Sequence, residues 1–193
     1  AHEQNCVVGF IPSDAITKEE NHRNMARFLA FQEVLCHYDI LCGNILLNLN
    51  LEGSLSLGID DNGNEGITLI DYEYSAFTFR AFDIGNFFCE FAGFDKSIEE
   101  AYPAADIRRA VIEKYFDSCA EETLKQDVEG TEAHIWLYWQ ELRKSDKAEA
   151  VAATDSLVRE FEVIANQLTL CAHTLWYLWG IVQADVSTVD FDY

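Results

Sequence analysis

Basic residues are scarce in this chain: 13 lysines and arginines stand against 34 acidic residues among 193, a formal net charge of -21. Nucleic acid and anionic lipid both need a cationic face, so that balance excludes them as partners and favours a small cationic ligand. Proline is nearly absent, with only Pro12 and Pro103, so helices can run long without interruption. The ten glycines form no G-x-G-x-x-G, which removes the most familiar phosphate-cradling loop. Six cysteines (Cys6, Cys36, Cys42, Cys89, Cys119, Cys171) contain no C-x-x-C and lie far apart. They are expected as reduced thiols in a cytoplasmic protein rather than as a disulfide framework. The longest apolar run, residues 168–182, is broken by His173, Thr174 and Gly180, and neither a membrane span nor a signal peptide is expected.

What is present is enough apolar content, 49% of residues, to bury a real core. Met25, Phe28, Leu29, Gln32 and Leu35 fall at helical spacing and predict a helix over 21–35. Residues 34–37 are β-compatible, and 45–49 and 67–70 are better strands. Between the last two lie Gly53, Gly58 and the turn-forming stretch 60–64, which predicts a hairpin closed by a long, acidic, mobile loop. That loop, 52–65, is most simply a solvated linker. After Tyr74 the pattern turns helical, over 82–91, 105–124, 132–142 and about 154–184, with Tyr102-Pro103 where a helix should start. The expected architecture is α+β, a small sheet in front of a helical body. Residues 1–33 are expected to form an N-terminal segment and lead-in helix, and 34–193 one lobe without an internal boundary.

The stretch Cys36-His37-Tyr38-Asp39-Ile40-Leu41-Cys42-Gly43-Asn44, followed by Ile67-Thr68-Leu69-Ile70-Asp71-Tyr72-Glu73-Tyr74, sets three polar side chains between apolar runs. Asp39, Asn44 and Asp71 in that order have the layout of a phosphoryl-transfer site. One carboxylate takes a hydroxyl proton, while an amide oxygen and a second carboxylate hold magnesium on nucleotide phosphates. Any one of them alone would be a turn former or a cap. His2, His22, His134 and His173 show no zinc-ligand spacing.

CHYDILCGNILLN, ITLIDYEYSAFTFRAFDIGNFFCEFAG and TLWYLWGIVQADVSTVDFDY resemble the signature segments of the choline and ethanolamine kinase family over roughly residues 34–193. The resemblance implies the mainly helical C-terminal lobe of a protein-kinase-like fold, similar also to aminoglycoside phosphotransferases, with its β-hairpin at the catalytic face. It implies Asp39 as catalytic base, Asn44 and Asp71 as Mg2+ ligands, Asp83 as a brace for the catalytic loop and His37 as support for it. It further implies ATP and a small-molecule amino alcohol as substrates, and a homodimer. The chain departs from the family at Tyr38, where relatives usually carry Asn. A tyrosine cannot fill the same volume, so loop geometry or rate should differ.

Trp176 and Trp179, three residues apart on a helix, could wall a pocket for an ammonium group, which an indole face stabilises by roughly 0.5 to 2 kcal/mol. Trp136 and Trp139 have the same spacing and are assigned to the core. The resemblance separates the pairs, since the family's amine-binding tryptophans align with LWYLW. It likewise places Glu90 facing the amine and Tyr193 in the aromatic segment that closes the pocket. Leu41 and the run Glu90-Phe91-Ala92-Gly93 lean toward ethanolamine.

A kinase of this kind also needs a glycine-rich loop and a strand lysine paired with a helix glutamate. The 33 residues before Val34 cannot supply that lobe, so a longer or a truncated gene product is expected, and the 193 residues alone should turn over negligibly. The competing expectations are a non-catalytic, pseudokinase-like binding lobe, motivated by Tyr38, and a phosphotransferase for an aminoglycoside or another amino alcohol.

Overall fold

The computed structural model describes residues 17–47, 66–93, 97–126 and 129–188. Helix α1 (Lys18–Ala30) leads into strand β1 (Glu33–Cys36), a 3-10 turn (Cys42–Asn44) and strand β2 (Ile45–Leu47). Strands β3 (Ile67–Leu69) and β4 (Ala76–Phe79) follow. Helices α2 (Arg80–Cys89), α3 (Ile98–Ala101), α4 (Ala105–Gln126), α5 (Thr131–Arg143) and α6 (Ala148–Val186) complete the order. The mainly helical α+β class expected from sequence is what the chain adopts. No described helix is long and apolar enough to cross a membrane.

Two compact units divide the described residues. One takes 17–29 and 106–163, the other 30–105 and 164–188. The first is a helical packing centred on Phe116 of α4. Its ring meets Trp136, Trp139 and Phe161 edge-on, with centroids 5.3, 5.1 and 5.0 Å away, a geometry that adds quadrupole attraction to area burial. Both tryptophans are buried, as their assignment to the core required. Each finds a carboxylate for its indole N–H, Trp136 on Glu132 and Trp139 on Asp117, both at 3.0 Å. Arg108 pairs with Glu162 at 2.6 Å, and Arg109 pairs with Asp155.

The second unit holds both strand pairs. β1 runs antiparallel to β4, with Glu33 opposite Phe79 and Cys36 opposite Ala76. β2 runs antiparallel to β3, with Ile45 opposite Leu69. The second pair is the hairpin read from sequence; its acidic loop, 52–65, lies outside the described residues. The β1–β4 pair holds the start of 37–44, and the β2–β3 pair holds its end. α2 begins where β4 stops, as Phe79 has extended backbone and Arg80 donates its N–H to the Gln32 carbonyl at 2.9 Å.

Two expectations are corrected. The first helix ends at Ala30, not near residue 35, and Leu35 lies in β1 with 64% of its surface exposed. Its helical spacing from Phe28 is coincidental, because the strand supplies its backbone hydrogen bonds. Residues 76–79 are strand, not the start of a helical region. The five cysteines among the described residues are all free.

Candidate active site

The site is built on residues 37–44, which run from the end of β1 through the 3-10 turn. Asp83, in the first turn of α2, accepts the backbone N–H of His37 at 3.0 Å on Oδ2 and that of Tyr38 at 2.9 Å on Oδ1. Burial pushes the Asp83 carboxyl upward, and those two amide donors pull against it. His37 is buried and bonded at both nitrogens. Nδ1 accepts the Asp39 N–H at 3.3 Å, which leaves Nε2–H to donate to the Ile70 carbonyl at 2.9 Å. One imidazole thus ties the loop to the end of β3, and its ring packs on Tyr72 at 4.6 Å.

Tyr38 takes φ 71°, a left-handed conformation that costs a non-glycine residue roughly 1–3 kcal/mol. Asn tolerates that region better than Tyr, so a tyrosine at this position adds strain. Tyr38's ring is accommodated against Phe82, at 4.9 Å. Asp71 is the other non-glycine with positive φ, at 65°, among the described residues. Strain of this kind persists only where surrounding bonds fix it, and here it falls on two of the sequence-predicted site residues or their neighbours.

Asp39 and Asn44 meet directly. The Asn44 amide nitrogen donates to Asp39 Oδ2 at 2.8 Å and to the Asp39 carbonyl at 2.9 Å. With its nitrogen so engaged, the amide oxygen of this buried residue is turned the other way. The Ile70 N–H donates to the Asn44 carbonyl at 3.0 Å, which sets Asp71 one residue beyond that bond. Burial raises the Asp39 carboxyl above its usual range, opposed by the Asn44 bond and His37 and reinforced by Asp71 and Glu73. Asn44 and Asp71 are hard oxygen donors, which suits Mg2+. No group of three or more His, Cys, Asp or Glu side chains able to hold a metal occurs among the described residues.

Asp39 opens into a cavity of about 780 Å³ whose wall includes Leu41, Tyr74, Glu90, Trp176 and Trp179. The aromatic side is a fixed cluster. Trp176 and Trp179 stand edge-to-face at 5.6 Å, and Tyr74 meets them at 5.4 and 6.3 Å. Tyr74's hydroxyl accepts the Trp179 indole N–H at 3.0 Å. Glu90, just past the end of α2, is pushed up to about 7 by burial and secondarily by the Asp39 charge. Cys89 and His173 line the same space, with Sγ and Nε2 3.7 Å apart. Burial, with the Glu90 charge, pushes the Cys89 thiol up to about 11.

The structure therefore brings Asp39, Asn44, His37 and Asp83 into one bonded loop, and Asp39, Glu90, Trp176 and Trp179 onto one cavity. Tyr193 lies outside the described residues. Sequence reasoning missed Tyr74, Cys89, Asn86 and His173. The first three sit inside the quoted motifs, so the segment was flagged and the individual side chain was not.

The chain belongs to the choline/ethanolamine kinase family, whose model matches residues 12–193. It is similar to choline kinase alpha of Mus musculus, 33% identical over 174 residues, covering 90% of this chain and 33% of that protein. It is similar also to ethanolamine kinase 1 of Homo sapiens, 30% identical over 185 residues, covering 95% and 33%. A solved ethanolamine kinase of Plasmodium vivax matches 89% of this chain and 34% of its own at 24% identity, with a TM-score of 0.49. The chain spans about a third of the length of the curated relatives it matches.

Proposed function

We propose that residues 34–193 form the C-terminal lobe of a kinase that moves the γ-phosphoryl group of magnesium-ATP to the hydroxyl of ethanolamine or choline. The observation that carries the reading is Asp39, fixed by Asn44 at 2.8 Å and opening into the cavity that Trp176, Trp179 and Glu90 line. Ammonium and base then lie at two sides of one small space, as phosphorylation of an amino alcohol requires.

With Oδ2 held by Asn44, the Oδ1 of Asp39 is left to accept the substrate hydroxyl proton. The freed oxygen attacks the γ-phosphorus, an O–P bond forms, the bond to the β-phosphate oxygen breaks, and ADP leaves. Asn44 Oδ1 and Asp71 would hold the magnesium, which when bound neutralises charge on the phosphates. Asp83 and His37 keep the loop in its strained shape. Of the two amines, ethanolamine is the better fit, because its three N–H donors can use the Glu90 carboxylate where choline has none to offer. The five free thiols among the described residues suit a cytoplasmic setting.

Calorimetric binding of ethanolamine and choline to the 193 residues comes first, then turnover by these residues and by the longest product of the gene. Asp39→Asn is expected to keep amine affinity within a few-fold and to lose about 10²–10⁴ in kcat. Absence of binding by either amine, or full turnover in Asp39→Asn, would overturn the proposal. Amine binding without turnover in the longest product would instead support the non-catalytic lobe.

A further inference from the structure

Trp176 and Trp179 share the aromatic wall, yet their indole N–H groups go to different places. Trp179 donates to the Tyr74 hydroxyl at 3.0 Å, within the wall itself. Trp176 donates at 2.9 Å to Oδ1 of Asn86 on α2. The same amide's Nδ2 donates at 2.6 Å to the backbone carbonyl of Tyr38. Asn86 has no exposed surface. Its orientation is forced, since an indole nitrogen can only donate and a carbonyl can only accept. Aspartate would set an anionic oxygen against the Tyr38 carbonyl, and an aliphatic residue would leave buried polar groups without partners.

Tyr38 immediately precedes Asp39, and both sides of its backbone are held. Its N–H goes to Asp83 at 2.9 Å and its carbonyl accepts from Asn86, at a residue whose φ of 71° needs external support. We infer that Asn86 is a positioning residue that couples the amine-facing ring of Trp176 to the loop carrying Asp39, so that filling the pocket tightens the base. This rests on reading the cavity as the amine site. It deepens that reading by assigning the two tryptophans unequal tasks: Trp179 serves as wall, and Trp176 as wall and transmitter.

The test is backbone amide exchange of residues 37–44, followed by mass spectrometry with and without saturating ethanolamine, in the wild type, Trp176→Phe and Trp179→Phe. Both substitutions keep an aromatic face and delete an N–H, and the two deleted N–H groups have different acceptors, Asn86 and Tyr74. Ethanolamine is expected to slow exchange of 37–44 in the wild type. Trp176→Phe should speed ligand-free exchange there by about fivefold, the equivalent of one net hydrogen bond, and should abolish the slowing although the amine still binds. Trp179→Phe should weaken the amine and keep the slowing at saturation. Where turnover is measured, Trp176→Phe should lower kcat by a larger factor than it raises the amine KM. Asn86→Asp should reproduce the ligand-free exchange of Trp176→Phe if it folds, and Trp176→Phe decides the matter if it does not. Equal exchange in the wild type and Trp176→Phe, or equal loss of slowing in both variants, would overturn the inference. If neither amine binds the wild type, the amine-site reading fails, while the ligand-free contrast between the two variants still decides whether the relay exists.

Discussion

Glu90 carries a proton balance that can be read out directly. Its carboxyl is pushed from an ordinary 4.5 up to about 7, chiefly by burial and then by Asp39. Folded chain therefore holds a proton between those two values that unfolded chain has released. Glu90's contribution to stability is fully present below about 4.5 and is lost as pH rises through about 7. Binding has the opposite sign, because a cationic amine prefers the ionised carboxylate. Affinity for ethanolamine should rise by up to about tenfold between pH 6 and pH 8, the equivalent of about one unit of displacement of the Glu90 titration. Glu90→Gln should give a flat, weak profile. Calorimetry in buffers of different ionisation enthalpy checks this by detecting the proton released on binding, and an unchanged pH profile in Glu90→Gln would count against Glu90 as the amine's partner. At this scale Asp39 and Asn44 could be read together from the sequence because they stand five residues apart and meet within one loop. Asn86 and Tyr74 stayed hidden because their partners, Tyr38, Trp176 and Trp179, are 48, 90 and 105 residues away.

Among the elements, α2 does the most to build the site, since Asp83 and Asn86 both reach from it to the Tyr38 peptide. Gly85, between them, lets α2 approach α6. A Cβ there would lie 2.4 Å from the Ala165 carbonyl oxygen and 3.5 Å from Thr169 Cγ2. The obstacle is backbone and cannot rotate away, so Gly85→Ala should cost about 1–3 kcal/mol in overpacking, offset by up to about 1 kcal/mol of helix propensity. A lowered urea midpoint is expected. An unchanged one would show that α2 and α6 are not so closely seated. Helices α4 and α5 were legible because their apolar spacing repeats over several turns, and α6 was read correctly in type but about six residues late at its start. Strand β4 was not legible. Its four residues precede a strong helical pattern, and its identity depends on pairing with β1, with Phe79 opposite Glu33. The apparent extension of α1 to Leu35 failed for the same reason: β pairing, a non-local interaction, overrode a local period.

For the molecule as a whole, charge and apolar surface oppose each other. The β1–β4 pair turns Cys36 inward and Leu35 outward, and Phe77 stands opposite Leu35 with 75% of its surface exposed. Phe79 lies on the same outward face and meets Phe31 edge-on at 5.3 Å. An apolar patch of this kind promotes association with another copy, whereas a net charge of -21 keeps copies apart. The charge acts over the Debye length, about 10 Å at 0.1 M salt and about 3 Å at 1 M, while apolar attraction survives added salt. Self-association should therefore strengthen as sodium chloride rises from dilute to molar, and sedimentation velocity should show the mean mass increasing. Phe77→Lys, which breaks the outward face, should keep the protein monomeric across the range. If added salt instead dissolves an oligomer present at low ionic strength, ion pairs hold the copies together and the apolar face of β1 and β4 is not the contact.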